Sequence, residues 1–297
     1  MRKTTLAVAA GAALALVLTG CGAHSENGTA SAVGASGSSG LAAPFQNVLE
    51  LANASKQGTQ RSKSSKMSME MDAGGKTITA QGEASYDPSN TSFSMTMNTD
   101  GQQSEMVFID KTLYMKLPPA QATQLGVDKP WVKISPDADD PISKALSGSM
   151  TQASEQSDPT KILDQVAEAG RIVSSDQTEL NGQQANHYKV EIDMAKAMNK
   201  MLASMPADTQ AQVKQMMQGK NIQVPAEIWL DKDQLPIQIT MDESEMMKQL
   251  GQGAAAGGAG LGKITIKYSD WGTPVSVTAP PADQVADMSE IAKKIGG

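Results

Sequence analysis

Between Lys66 and Leu117 apolar and polar residues take turns over four successive segments, and this two-residue rhythm restricts the fold more than any other feature of the chain. Met67, Met69 and Met71 share one parity, while Lys66, Ser68, Glu70 and Asp72 hold the other. Side chains of a strand alternate between faces, so the segment has one dry face and one wet face. After Gly74-Gly75, Ile78, Ala80, Gly82, Ala84 and Tyr86 point one way, and Thr77, Thr79, Gln81, Glu83 and Ser85 the other. Phe93, Met95 and Met97 oppose Ser92, Ser94, Thr96 and Asn98. Asp100-Gly101, a pair suited to the positive φ angles of a tight hairpin, then leads to a fourth segment around Met106 and Phe108. Four consecutive antiparallel strands are expected, presenting Met, Ala, Gly and Phe to one side.

Small residues opposite long, flexible Met leave room that adapts to an irregular apolar guest. The same composition suits an ordinary core in which a helix occupies that room and Met fills gaps. These residues leave both readings open.

The amino terminus adds a location. Arg2 and Lys3 precede a 13-residue apolar run, Leu6 to Leu18, too short to span a bilayer but of the size of a secretory signal. It ends in Leu18-Thr19-Gly20-Cys21, which resembles the lipobox of bacterial lipoproteins, where a cysteine thiol receives a diacylglycerol and its amine is exposed by cleavage. Residues 1–20 are therefore expected to be a signal peptide and Cys21 the lipidation site. Cys21 is the only cysteine, so no disulfide forms within the chain. Residues 21–43 are mostly Gly, Ala and Ser, a flexible lipidated tether reaching roughly 25 Å. Without residues 1–20 the chain keeps 23 basic against 32 acidic residues. That balance argues against nucleic acid and against a polybasic grip on anionic lipid, which leaves acyl chains on Cys21 as the membrane attachment.

Residues 44–297 are read as one folded domain. Phe45, Val48, Leu49 and Ala52 predict a helix over Pro44 to Lys56, stopped at Gly58. Leu113 to Leu117 and Trp131 to Ile134 read as short strands around a Pro118-Pro119 break and a Gly126 loop. Asp140-Pro141 and Asp158-Pro159 each read as an N-cap followed by Pro at the first helical position, the second helix closing at Gly170. The cluster Asp137, Asp139, Asp140 lacks the spacing and glycine of an EF-hand loop and fits capping better. Strand rhythm returns over Ile172 to Leu180, an Asn181-Gly182 turn, and His187 to Asp193, opening a second sheet half. Met194 to Gln218 is helical with a break at Pro206 and carries a Met stripe suited either to a lid or to core packing. Ile228 with Leu230, Ile237 with Ile239 and Met241, and Ile264 with Ile266 and Tyr268 supply three more strands, followed by Val275 and Val277. Gly251 to Gly262 reads as a mobile loop, and Val285, Met288, Ile291 and Ile295 as a final helix. The fold class is α+β, a strongly curved antiparallel sheet capped by helices.

Catalytic chemistry finds no motif here. A nucleophilic enzyme needs a base beside its Ser or Cys, yet the two histidines are His24, in the tether, and His187, in a strand. G-x-S-x-G, the P-loop, the Rossmann glycines and HExxH are all missing from the sequence. The 19 Met residues raise a Cu(I) reading, but alternation on strands reads first as an apolar face, and His or Cys ligands are not nearby. No enzyme activity, metal or cofactor is expected.

Lys263-Ile-Thr-Ile-Lys-Tyr-Ser-Asp-Trp-Gly-Thr-Pro-Val-Ser-Val-Thr-Ala-Pro-Pro281 resembles the closing strands of the LppX and LprG type of actinobacterial lipoproteins. So do Gly182 to Asp193, with its His187-Tyr188 step, and Ile228-Trp-Leu-Asp-Lys-Asp-Gln-Leu-Pro236. With Cys21 and the first sheet half, the resemblance covers most of residues 44–281. It implies a LolA-like fold, a half-barrel sheet wrapped around helices with an apolar cavity, and binding or transfer of lipids or lipoglycans at the cell envelope. The implied lining is Met67, Met69, Met71, Ile78, Ala80, Ala84, Phe93, Met95, Met97, Met106, Phe108, Ile228, Leu230, Ile237, Ile239, Ile264 and Ile266. The expected partners are acyl chains of a lipid or lipoglycan and the membrane through Cys21, with no nucleic acid, on a monomer at the extracytoplasmic face of the cell membrane. An envelope sensor or partner-binding lipoprotein on the same fold is the alternative, and a structural surface protein with a filled core a third.

Overall fold

The computed structural model describes residues 40–73, 75–87, 91–124, 126–135, 159–203, 210–211, 215, 221–244 and 261–295. Cys21, the Asp137 to Asp140 cluster, Asp158, Pro206 and residues 251–260 lie outside them. Residues Ser38–Gly297 form one compact unit.

The twelve strands of its sheet are β1 (Ser64–Ala73), β2 (Lys76–Ser85), β3 (Ser92–Thr99), β4 (Gln102–Ile109), β5 (Thr112–Lys116), β6 (Trp131–Ile134), β7 (Gly170–Leu180), β8 (Gln183–Asp193), β9 (Gln223–Leu230), β10 (Pro236–Asp242), β11 (Leu261–Ser269) and β12 (Val285–Asp287). Among the described residues the α-helices are α1 (Val48–Ser62), α2 (Pro119–Gln124), α3 (Pro159–Ala169), α4 (Met194–Ala203) and α5 (Met288–Ile295). The sheet is open and curved, in the order β12-β6-β5-β4-β3-β2-β1-β11-β10-β9-β8-β7. The four strands expected from Lys66 onward are β1 to β4, and the two sheet halves are one sheet, joined where β1 pairs with β11.

Turn chemistry sets the register. Asp100 and Gly101 have φ of 52° and 78°, and Asn181 and Gly182 have 53° and 83°, the left-handed pair that a two-residue hairpin requires. Gly82 has a different task. A Cβ there would overlap the Ser94 carbonyl oxygen of β3, so only glycine lets β2 and β3 approach as they do.

Several boundaries differ from the sequence expectation, each for a local reason. Helix α1 starts at Asn47, whose side chain accepts the Glu50 N–H at 2.9 Å, and not at Pro44. It also runs through Gly58 to a left-handed Lys63 at φ 63°. Gly58 is a close-approach residue, because a Cβ would sit 3.2 Å from the Asp233 carbonyl oxygen in the β9–β10 turn. The Pro118-Pro119 break carries the short helix α2. Val275 and Val277 lie in irregular backbone, while Val285 starts β12, a strand parallel to β6, ahead of α5. Helix α4 opens on Asp193, whose carboxylate accepts the N–H groups of Ala195 and Lys196.

The main core lies where α1 and α3 cover β8 to β11. Leu51 and Ala52 of α1 and Ile162, Leu163 and Val166 of α3 pack on Tyr188, Val190, Ile228, Leu230, Ile239 and Ile266. A second, smaller cluster joins Ala84, Phe93, Leu113 and Ile134.

Candidate functional site

The register lays the apolar face out in rows. One row crosses from Tyr268 through Met67, Gly82, Met95 and Met106 to Met115. A second runs through Ile266, Met69, Ala80 and Met97, and a third through Ile264, Met71 and Ile78. A fourth holds Ala84, Phe93, Phe108, Leu113 and Ile134, with the two phenylalanine rings stacked at 5.5 Å. Strands β1 to β5 thus gather the Met, Ala, Gly and Phe set on a common face, as alternation predicts.

Burial divides the implied lining residues. Ile228 and Leu230 are fully buried, Ile239 nearly so, and Met67, Ala80, Ala84, Phe93 and Ile266 are also buried. Met69, Met71, Ile78, Met95, Met97, Met106, Phe108 and Ile264 are only half-buried on the same face. Ile237 stands apart, at the register irregularity between Pro236 and Gln238 and outside both clusters. Met95 touches both clusters and so lies at the join between them. Met115 completes the Met row and was absent from the expectation, although its parity with Leu113 and Leu117 could have placed it there.

An open depression of about 430 Å3 lies over β1 to β3, lined by Lys66, Ser68, Gln81, Glu83, Ser94, Thr96 and Ser269 around Met67, Gly82 and Met95. By register the first seven belong to the parity opposite the Met row. Seven of its ten lining residues are polar or charged, so this open depression is not the apolar cavity that the resemblance implies.

His187 sits on the wet parity of β8. Nδ1 lies 2.9 Å from Asp176 Oδ1 on β7 and Nε2 2.9 Å from Glu227 Oε2 on β9, with the ring stacked on Trp229 at 4.4 Å. Both nitrogens are engaged by carboxylates, which ties three strands together and leaves neither nitrogen free to act as a base. Among the described residues no group of three or more His, Cys, Asp or Glu is arranged to hold a metal ion. Burial pushes the Asp231 carboxyl above its ordinary value, against the pull of the Leu235 and Asp233 N–H groups that it accepts in the β9–β10 turn. Burial likewise raises the Tyr188 hydroxyl, to which the Phe45 N–H donates at 3.1 Å. No described helix is long and apolar enough to cross a membrane.

Fold and face together define an α+β protein with an open twelve-stranded sheet and an apolar surface rich in Met. No family profile matches the chain. It is 25% identical over 198 residues to an uncharacterized 31.2 kDa protein of the rplA–rplJ intergenic region of Streptomyces griseus, a match spanning 66% of this chain and 60% of that protein. Among solved structures it is similar to LprF from Mycobacterium bovis, at 12% identity and TM-score 0.44 over 79% of this chain and 97% of that one. It is also similar to the MucA/MucB complex of Pseudomonas aeruginosa, at 12% identity and TM-score 0.35 over 80% and 59% of the two chains. An uncharacterized conserved protein from Thermus thermophilus aligns at 12% identity and TM-score 0.38 over 80% and 97%.

Proposed function

We propose that this is a lipoprotein of the cell envelope, anchored through Cys21, that binds acyl chains of a lipid or lipoglycan against the Met-rich face of β1 to β5 and passes them on. The observation that carries this reading is the half-burial of Met69, Met71, Met95, Met97, Met106 and Phe108 beside small Ala80. Long thioether side chains next to small ones conform to a guest of variable shape. Each methylene taken from water contributes about 0.8 kcal/mol, so half a long chain outweighs the cost of ordering it. No catalytic step is proposed, and the engagement of both His187 nitrogens supports that. The domain from residue 44 onward is the lipid-binding part, and it works as a monomer at the extracytoplasmic face.

The test is organic extraction and mass spectrometry of the protein purified without its lipid anchor. Stoichiometric acyl lipid is the expected result. A lipid-free protein that instead retains a tight protein partner in pull-downs would replace this reading with the sensor. A protein holding neither would be a structural surface protein. Cys21→Ser is expected to release the protein from membranes, and retention in high-salt buffer free of detergent would place the anchor elsewhere.

A further inference from the structure

The wet face of the sheet carries a line of polar groups that neither the packing of the fold nor the Met face uses. One register row on it runs from His187 through Trp229, Gln238, Lys267, Ser68 and Gln81 to Thr96. The neighbouring row adds Ser269, Lys66, Glu83 and Ser94, and the two rows together frame the open depression of about 430 Å3. From β9 to β3 the line crosses five strand intervals, about 24 Å along the sheet.

An aromatic platform stands at one end. Trp229 is half-buried, and His187, held between Asp176 and Glu227 at 2.9 Å each, stacks on its ring at 4.4 Å with the planes 10° apart. His187 belongs to β8, so the other face of the indole is turned toward β10 and Gln238. Farther along, the side chains of Gln238, Ser68, Gln81, Ser94, Thr96 and Ser269 make no hydrogen bond among the described residues. Beyond the two ends, polar residues of the same face pair with each other instead, Arg171 with Glu191 and Lys116 with Glu105, each at 2.6 Å. Charge along the line cancels: Lys66 and Lys267 stand against Glu83 and Asp270, the last paired with Lys66 at 3.0 Å.

We infer that this face binds a neutral glycan, with one sugar ring stacked on Trp229 and the following units lying across Gln238, Lys267 and Ser68 into the depression. A pyranose has an apolar C–H face that packs on an aromatic ring, and its hydroxyls donate and accept in the manner of the Ser, Thr and Gln groups that line the path. With the line's own charges cancelled, neither a polyanion nor a polycation is selected. His187 acts as a positioning residue: its stacking fixes the indole before a sugar arrives, which lowers the ordering cost of binding. The site lies on the side of the sheet opposite Met69, Met97 and Met106, and it does not rest on the acyl-chain reading.

The experiment titrates soluble maltohexaose, cellohexaose and chitohexaose separately into the protein and reads binding by calorimetry and tryptophan fluorescence. At least one is expected to bind with Kd below about 1 mM. Trp229→Ala should weaken that binding about tenfold, and Trp229→Phe, which keeps a stacking ring, only about threefold. Should Trp229→Ala fail to fold, Gln81→Ala with Thr96→Ala in the depression is expected to weaken binding about tenfold. Lys76→Ala, off the line, should leave it unchanged. The same hexasaccharide carried as a lipid headgroup in phosphatidylcholine vesicles separates two sources of the ligand. Equal affinity for the soluble and vesicle-borne sugar marks a free or wall-borne glycan, and clearly tighter vesicle binding that Trp229→Ala still weakens marks the headgroup of a glycolipid. Failure of all three hexasaccharides to bind at about 10 mM overturns the inference. So does binding that the Trp229 and depression variants leave intact. Acyl lipid found or missing on organic extraction decides the acyl-chain reading and leaves this one standing or falling by itself.

Discussion

The two halves of the sheet solve the same burial problem with different side chains. From β8 to β10 most inward positions are branched or aromatic, with Asn186, Ala226 and Met241 the exceptions, and Tyr188, Val190, Ile228, Leu230 and Ile239 are sealed under α1 and α3. From β1 to β5 the same face carries Met and small residues, and its rows through Met95, Met97 and Met106 stay half-buried. Side chains of fixed shape give density and a unique packing, whereas Met beside Gly and Ala gives adaptability. The sealed half behaves as scaffold, and the Met half is the one on which a ligand is proposed.

Paired truncations test that division most strongly. Ile228→Ala is expected to cost about 3 to 4 kcal/mol in urea unfolding, as for a sealed core site, while Met106→Ala in lipid-free protein costs about 1 kcal/mol. Equal losses would erase the distinction between the halves. Next in size is Gly82→Ala, whose Cβ must displace the Ser94 carbonyl; a loss of about 2 kcal/mol is expected, with β2 and β3 the first strands to lose amide protection in hydrogen exchange. Wild-type stability in that variant would show that the two strands can part without harm.

Insertions sharpen the comparison within the Met half. Ala84 sits in the closed cluster with Phe93, Leu113 and Ile134, so Ala84→Leu should overpack it and cost about 1 to 3 kcal/mol. Ala80 lies between Met69 and Met97 in the register, outside either cluster. Ala80→Phe is expected to cost under about 1 kcal/mol while co-purified lipid falls. Severe destabilisation by Ala80→Phe would mean that the protein's own atoms already fill the space.

Acid titration should separate the halves by sign. At the end of β10, burial holds the Glu243 carboxyl above its ordinary value, so its contribution is present at low pH and lost as pH rises through the folded value. Glu243→Gln should therefore raise the melting temperature slightly at neutral pH, an advantage that disappears on acidification. At β12, burial pushes the Asp287 carboxyl up, but hydrogen bonds from Ser289 and Lys133 outweigh it and hold the group low. Its stabilisation is present above the unfolded value and lost as pH falls through the folded one. Asp287→Asn should accordingly be less stable than wild type at neutral pH and converge with it in acid. Thermal melts across the acid range decide both, and parallel pH curves for the two variants would contradict these assignments.

Much of this was legible in the chain because strand period and turn chemistry are local. The rows through Met67 and Ala84 follow from parity, and the hairpins at Asp100-Gly101 and Asn181-Gly182 from residues that tolerate positive φ. What escaped depended on partners far away in sequence. Gly58 looks like a helix stop until the β9–β10 turn is placed against it, and Val285 looks helical until β6 offers it a parallel partner. Asn186 reads as an ordinary polar strand residue, and its burial is explained by the Gln177 amide on β7 together with the carbonyl of Ala42, 144 positions earlier. The apolar face was foreseen, but how far it is covered was not, because parity says which way a side chain points and nothing about what lies over it.

The seam between β1 and β11 has a consequence for how the chain reaches this state. Lys66 pairs with Ser269 and Met71 with Ile264, partners roughly two hundred residues apart, whereas β2 to β5 and β7 to β8 close through short hairpins. Closing so long a loop must precede any reward from its contacts, so the seam is the slow event in folding. A chain emerging amino terminus first displays β1 with one edge unpaired until nearly all the rest has followed. During that interval its row of Met side chains is open to whatever apolar surface is at hand, and quality control in the compartment of folding would act on that half-finished sheet.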